Sequence, residues 1–113
     1  AKQLGVPAIF FERVEGQFQL RRGFEIKRQT KCIMVEDIVT TGLSSRECIS
    51  AITKHHGNVI GAACLIDRSS GAANVGVDLV SLAEMTIETY EESNIPSWLN
   101  EIPISKPGSR NLK

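Results

Sequence analysis

At 113 residues, with 42% hydrophobic and 23% charged positions, the chain is long enough for one domain with a core of its own. Its 13 basic and 13 acidic residues cancel, so nothing in the balance argues for nucleic acid or an anionic membrane as partner. No apolar run approaches the roughly 18 residues of a membrane-spanning helix. The 3 cysteines (Cys32, Cys48, Cys64) lack zinc-site spacing and sit in apolar stretches, the pattern of reduced, buried thiols in a cytoplasmic protein.

In chain order, Ala1 to Leu4 followed by Gly5 reads as the last turn of a helix with Gly5 as its terminator. With no initiator methionine, the chain is expected to be the C-terminal part of a longer protein. Pro7 precedes an apolar run, Ala8 to Phe11, expected to be the first strand. Arg13 to Gly16 reads as a polar turn. Phe18 to Arg21 alternates with period two and predicts an exposed strand, one edge of a hairpin. Gly23 breaks it, Phe24 to Ile26 resumes, and Lys27 to Lys31 is a charged turn. Cys32 to Val35 is short, apolar and bounded by charge, as expected of a buried strand. Ser44-Ser45-Arg46-Glu47 fits a capping box, predicting a helix from Ser44 or Ser45 to His56 with Gly57 as its C-cap. Cys48, Ile49, Ala51 and Ile52 give that helix an apolar side.

Val59 to Ile66 is almost wholly apolar, like a central parallel strand, and strand, helix, strand over this span predicts a right-handed βαβ unit. A small-residue loop follows from Asp67 to Gly76, then a strand from Val77 to Leu82. Thr86 to Tyr90 reads as a short strand or irregular chain. Ile95 to Leu99 predicts a short helix with Pro96 at its first position, and Pro103 to Lys113 an irregular tail. The fold class is α/β, one domain over residues 1–113, with a parallel sheet flanked by helices.

Most of the chemistry lies between Val35 and Ser45. In open α/β sheets ligands sit beyond the carboxyl ends of strands, where Glu36 and Asp37 are expected. Carboxylates there accept hydrogen bonds from sugar hydroxyls or help hold a hydrated Mg²⁺. Thr40, Thr41, Ser44 and Ser45 offer hydroxyls, Gly42 permits a tight turn, and the helix start favours a phosphate. Each feature alone also fits a solvated strand end and an ordinary capped turn; their conjunction favours a site for a phosphorylated, diol-bearing ligand. Neither a P-loop nor a dinucleotide fingerprint is present. Asp67-Arg68 repeats the arrangement past the next strand. The Arg68 fork suits a carboxylate, or it is a surface arginine. Arg13, Arg21 and Arg22, around Gly16 and Gly23, form either an anion-binding loop or a solvated hairpin. His55-His56 suits a helix C-terminus, and Trp98 reads as a core or interface anchor.

Val35-Glu36-Asp37-Ile38-Val39-Thr40-Thr41-Gly42 resembles the phosphoribosyl-pyrophosphate (PRPP) signature of type I phosphoribosyltransferases. Phe11-Glu12-Arg13, Leu20-Arg21-Arg22-Gly23-Phe24, Leu65-Ile66-Asp67-Arg68-Ser69, Ile102-Pro103 and Lys106-Pro107-Gly108-Ser109-Arg110 are similar to bacterial orotate phosphoribosyltransferases. The resemblance implies a Rossmann-like core, an N-terminal hood that this chain lacks, a flexible hairpin-like loop and a homodimer. It implies Mg²⁺-dependent transfer of 5-phosphoribosyl from PRPP to orotate in pyrimidine biosynthesis, giving orotidine 5′-monophosphate and pyrophosphate.

By the same resemblance, Glu36 and Asp37 are the catalytic acids and bind the ribose hydroxyls. Thr40, Thr41, Gly42, Leu43 and Ser44 complete the PRPP site, and Thr40 and Arg68 contact orotate. Arg13, Arg21 and Arg22 are candidates for pyrophosphate. Mg²⁺ is held by substrate oxygens and water, with no direct protein ligand. Two departures stand out: Leu43 replaces a usually small residue, and no lysine or histidine lies between Phe10 and Ile26. The alternatives are a non-catalytic PRPP-binding regulatory module or transfer to another base, and the chain by itself is expected to be inactive.

Overall fold

Two sheets organise the residues described by the structure, 1–88 and 90–103 of a computed structural model. The first is a hairpin. Strands β1 (Phe11–Val14) and β2 (Gln17–Leu20) pair antiparallel, from Phe11 opposite Leu20 to Val14 opposite Gln17. Glu15 and Gly16 join them, both at positive φ (50° and 82°), the tight two-residue turn that matches strand twist. The first strand therefore starts at Phe11 rather than Ala8 and runs through Arg13 and Val14, where the sequence alone predicts a turn. The reversal needs only Glu15-Gly16, which frees those two residues to pair.

The second sheet holds β3 (Lys31–Val39), β4 (Asn58–Asp67) and β5 (Leu79–Glu84), all parallel with β4 in the middle. Helix α1 (Leu43–Lys54) connects β3 to β4 and packs on one face. The buried core is Met34, Val39, Ile52, Ala62, Cys64 and Val75. The other face presents Ile33, Val35, Val80 and Leu82, the last 81% exposed. Parallel sheets are ordinarily covered on both faces; among the described residues this one is covered on one.

Several boundaries differ from the sequence reading. β3 does not stop at Val35 but carries Glu36 and Asp37 within it, because β4 runs alongside as far as Val39 opposite Asp67. α1 starts at Leu43, and its N-cap residue makes no side-chain capping bond. Gly42, at φ 72°, is its N-cap, and the Gly42 carbonyl accepts from the Arg46 N–H at 2.9 Å. The two ends of the expected capping box, Ser44 and Glu47, both bond Arg13 instead.

At the other end of α1, His56 rather than Gly57 takes the left-handed position, at φ 65°. Gly57 answers to packing: a Cβ there would fall 2.6 Å from Ile52 Cγ2 and 3.3 Å from Cys32 Sγ. The segment from Met85 to Glu88 is irregular. A four-residue helix α2 (Ser97–Asn100) has Pro96 as its N-cap rather than its first position. The expectation for the tail beyond Pro103, including Lys106 to Arg110, lies outside the described residues.

Candidate functional site

Chain geometry at the end of β3 builds the candidate site. Thr40 and Thr41 leave the strand, Gly42 reverses the chain in the left-handed region, and α1 begins at Leu43. Gly42 is buried, and a Cβ on it would lie 3.0 Å from the Asn74 carbonyl oxygen and 3.1 Å from Val75 Cγ1. Only glycine fits both that φ and that proximity. Arg46 reinforces the packing by donating to the carbonyls of Thr41 and Asn74. The turn after β3 is thereby fastened to the loop after β4.

In front of the turn lies a cavity of about 400 Å³, lined by Glu36, Thr40 to Ser45, Arg13 and Glu47 among others. The uncapped start of α1 forms part of its wall. Backbone N–H groups without helical partners, together with the positive end of the helix dipole, make such a start a ready anion site. The Leu43 N–H points to Thr41 Oγ1 at 3.3 Å, and the Leu43 side chain is largely exposed.

The strand's period of two separates the paired acids. Glu36 is half-buried on the α1 side, where Ser45 Oγ donates to Glu36 Oε2. Asp37 faces the opposite way, is exposed, and accepts the N–H of Ile38 at 2.8 Å. The structure thus brings Glu36, Thr40, Thr41, Gly42, Leu43, Ser44 and Arg13 to one cavity. It does not bring Asp37, Arg21, Arg22 or Arg68 to that cavity's wall.

The hairpin arginines are committed to protein partners. Arg13 stacks over Phe18, 4.2 Å from the ring centroid, and donates to the Gly16 carbonyl at 2.8 Å. It also reaches Glu47 at 2.5 Å and Ser44 Oγ at 3.3 Å, clamping the hairpin against α1. Arg21 and Arg22 both pair with Glu12, at 3.3 and 2.6 Å.

Beyond β4, a carboxylate organises the loop that carries Arg68. Asp67 is buried and accepts from the Ser69 N–H at 2.7 Å, the Ser69 hydroxyl at 2.6 Å and the Gly71 N–H at 3.1 Å. Ser69 Oγ in turn accepts from the Ala73 N–H at 2.8 Å. These donors, the Ser69 hydroxyl foremost, hold the Asp67 carboxyl below its ordinary value. The Arg68 N–H binds the Val39 carbonyl at 2.8 Å, placing Arg68 beside the start of the turn from Thr40 to Gly42. Its Nε is buried with no protein partner among the described residues.

Three contributors escaped the sequence reading in these roles. Ser45 read there as a helix-start residue and a hydroxyl for the ligand, Arg46 as a helix-start residue, and Asp67 only as a strand-end acid. Asp-x-Ser followed by Gly is a local turn signal that could have exposed the role of Asp67. The long-range bonds of Ser45 and Arg46 leave no local trace. Near the site, burial raises the Cys48 thiol pKa, the Glu36 charge adds to the rise, and Arg13 opposes it.

A strand-to-helix turn at the carboxyl edge of a parallel sheet, with free helix N–H groups and a strand-borne carboxylate, defines an α/β domain equipped to take a phosphorylated ligand. The chain belongs to the phosphoribosyl transferase domain family, whose profile matches residues 4–97. It is 53% identical over 113 residues to an orotate phosphoribosyltransferase of Caulobacter vibrioides (strain NA1000 / CB15N), spanning 100% of this chain and 58% of that protein. It is 53% identical over 112 residues to the orotate phosphoribosyltransferase of Parvibaculum lavamentivorans, covering 99% of the chain and 58% of the relative. The Methylobacterium sp. (strain 4-46) orotate phosphoribosyltransferase is 56% identical over 111 residues, 97% of the chain and 57% of the relative. The chain therefore spans a little over half the length of these relatives.

Proposed function

We propose that this chain carries the PRPP half of an orotate phosphoribosyltransferase site. The observation that supports this most is that Glu36 and the turn from Thr40 to Ser44 line one cavity together. In the proposed reaction a bond forms between N1 of orotate and the anomeric carbon of PRPP, the bond from that carbon to pyrophosphate breaks with its electron pair leaving on the pyrophosphate oxygen, and the N1 proton is released to solvent. The work left to the protein is positioning and electrostatics.

The N–H groups and hydroxyls of Thr40 to Ser44 hold the 5-phosphate at the start of α1. Glu36 accepts from a ribose hydroxyl. Asp37 enters through the resemblance, from the other face of β3. Arg68, with a buried Nε free of protein partners among the described residues, donates to the orotate carboxylate beside Thr40. Arg13, Arg21 and Arg22 reach pyrophosphate only by exchanging Glu47 or Glu12 for it.

Mg²⁺ belongs to the proposal in a limited form. With Glu36 and Asp37 on opposite faces and one Glu36 oxygen taken by Ser45, the donor set fits a metal carried in by substrate oxygens and water rather than a protein cage. Bound that way, Mg²⁺ would supply neutralisation of charge on the leaving pyrophosphate. A cytoplasmic homodimer, as the resemblance implies, is part of the same proposal.

The test is product formation from orotate, PRPP and Mg²⁺ by the full-length protein. Orotidine 5′-monophosphate and pyrophosphate are expected in equal amounts. PRPP binding without product would replace this reading with that of a regulatory module. Product from another base but not orotate would reassign the substrate.

A further inference from the structure

We propose that Ser45 is a positioning residue for the sugar: its hydroxyl holds one Glu36 oxygen so that the other is presented to a ribose hydroxyl. This rests on the reading of the cavity as a ribose 5-phosphate site. Ser45 is 1% exposed, one of two buried polar residues, with Asp67, among those described. A serine in the first turn of a helix ordinarily caps it or faces water. Ser45 does neither: among the described residues it caps no N–H of α1, and the hydroxyl crosses to Glu36 Oε2 on β3.

Glu36 needs such an anchor. A glutamate has three rotatable side-chain bonds, and a loose one would spread its carboxylate over several rotamers. The nearby cation does not hold it, since Arg13 is engaged by Glu47, Ser44 and the Gly16 carbonyl. Glu36 Oε1 has no protein donor among the described residues, and both Glu36 and Ser45 line the cavity. A short donor fixed on a helix and a carboxylate fixed on a strand leave one acceptor aimed by two rigid elements.

Calorimetric titration of the full-length protein with ribose 5-phosphate, and separately with inorganic phosphate, tests this. Ser45→Ala should weaken ribose 5-phosphate roughly tenfold, the order of one hydrogen bond to a charged group. It should leave inorganic phosphate, which reports on the turn alone, within about twofold. In a Glu36→Gln background the Ser45→Ala change should add little, because its effect travels through the carboxylate.

Equal weakening of both ligands, or the same loss with and without Glu36, overturns the proposal in favour of a purely structural serine. Normal ribose 5-phosphate affinity in Glu36→Gln removes the reading of the cavity, and the Ser45 role with it. A weakened Glu36→Gln beside an unaffected Ser45→Ala overturns the Ser45 role alone. If Ser45→Ala does not fold, Ser45→Cys keeps the volume with only a weak donor and should show the same selective loss.

Discussion

Replacing Gly42 by alanine asks two things of one methyl group. The residue sits at φ 72°, where an L side chain costs about 1–2 kcal/mol. The new Cβ would also press on the Asn74 carbonyl oxygen at 3.0 Å, Val75 Cγ1 at 3.1 Å and Arg46 Nη1 at 3.3 Å. The first of these is backbone and the second a core side chain, so relief requires the loop after β4 to move; about 1–2 kcal/mol more is a reasonable overpacking cost. Gly16 supplies the control: at φ 82° a methyl there would meet nothing within 4 Å, so Gly16→Ala carries strain alone. Urea unfolding at constant m-value should therefore show Gly42→Ala destabilised by about 2–4 kcal/mol and Gly16→Ala by about 1–2 kcal/mol. Because the displaced turn is the proposed phosphate cradle, Gly42→Ala should also bind ribose 5-phosphate at least tenfold more weakly. Equal destabilisation by the two substitutions would refute the packing argument, and an undiminished affinity would refute the cradle.

Other outcomes follow from the same structure. Met34→Ala, in the core, should cost about 2–5 kcal/mol, whereas Leu82→Lys on the bare sheet face should stay within about 0.5 kcal/mol by urea unfolding; similar costs would show that the bare face is covered in solution. The Asp67 carboxyl is held below its ordinary value of 3.8, so its stabilisation is fully present above that value and is lost as pH falls through the lower folded value. The stability advantage of the wild type over Asp67→Asn should accordingly shrink on acidification, and an advantage that grew would contradict the hydrogen-bond cause. Burial, with the Asp67 charge adding to it, raises the Cys64 thiol pKa, so native-state alkylation should reach Cys64 after Cys32, with all three thiols alike in urea. Labelling of Cys64 first would mean that the core opens.

Much of the sheet was legible because apolar strands and a capped-looking turn are local signals. Val59 to Ile66 reads as a central strand from its side chains alone, and β4 occupies the middle of the sheet. The reversal after β3 was equally visible as a turn, since Gly42 among hydroxyl residues directly before helix-forming sequence is a local turn signal. What sequence could not show is where pairing ends. Glu36 and Asp37 look like a strand's polar exit, yet the backbone of β4 keeps β3 extended past both, and the pleat then turns them to opposite faces. Ser44 and Glu47 match a capping box, but Arg13, thirty-one residues before Ser44, draws both away. The hairpin arginines read as free cations for the same reason: Glu12 and Glu47 become their partners only once β1, β2 and α1 are folded together.

In the proposed site the sugar phosphate sits at the turn between β3 and α1. Backbone amide chemical shifts of the isotopically labelled full-length protein, followed through a titration with ribose 5-phosphate, test it most directly. Saturable shifts centred on Thr40 to Ser45 and Glu36, with little change at Arg21 and Arg22, are the predicted result. Shifts centred on the hairpin or on the loop from Asp78 onward, with the amides of Thr40 to Ser44 unmoved at saturation, would contradict it.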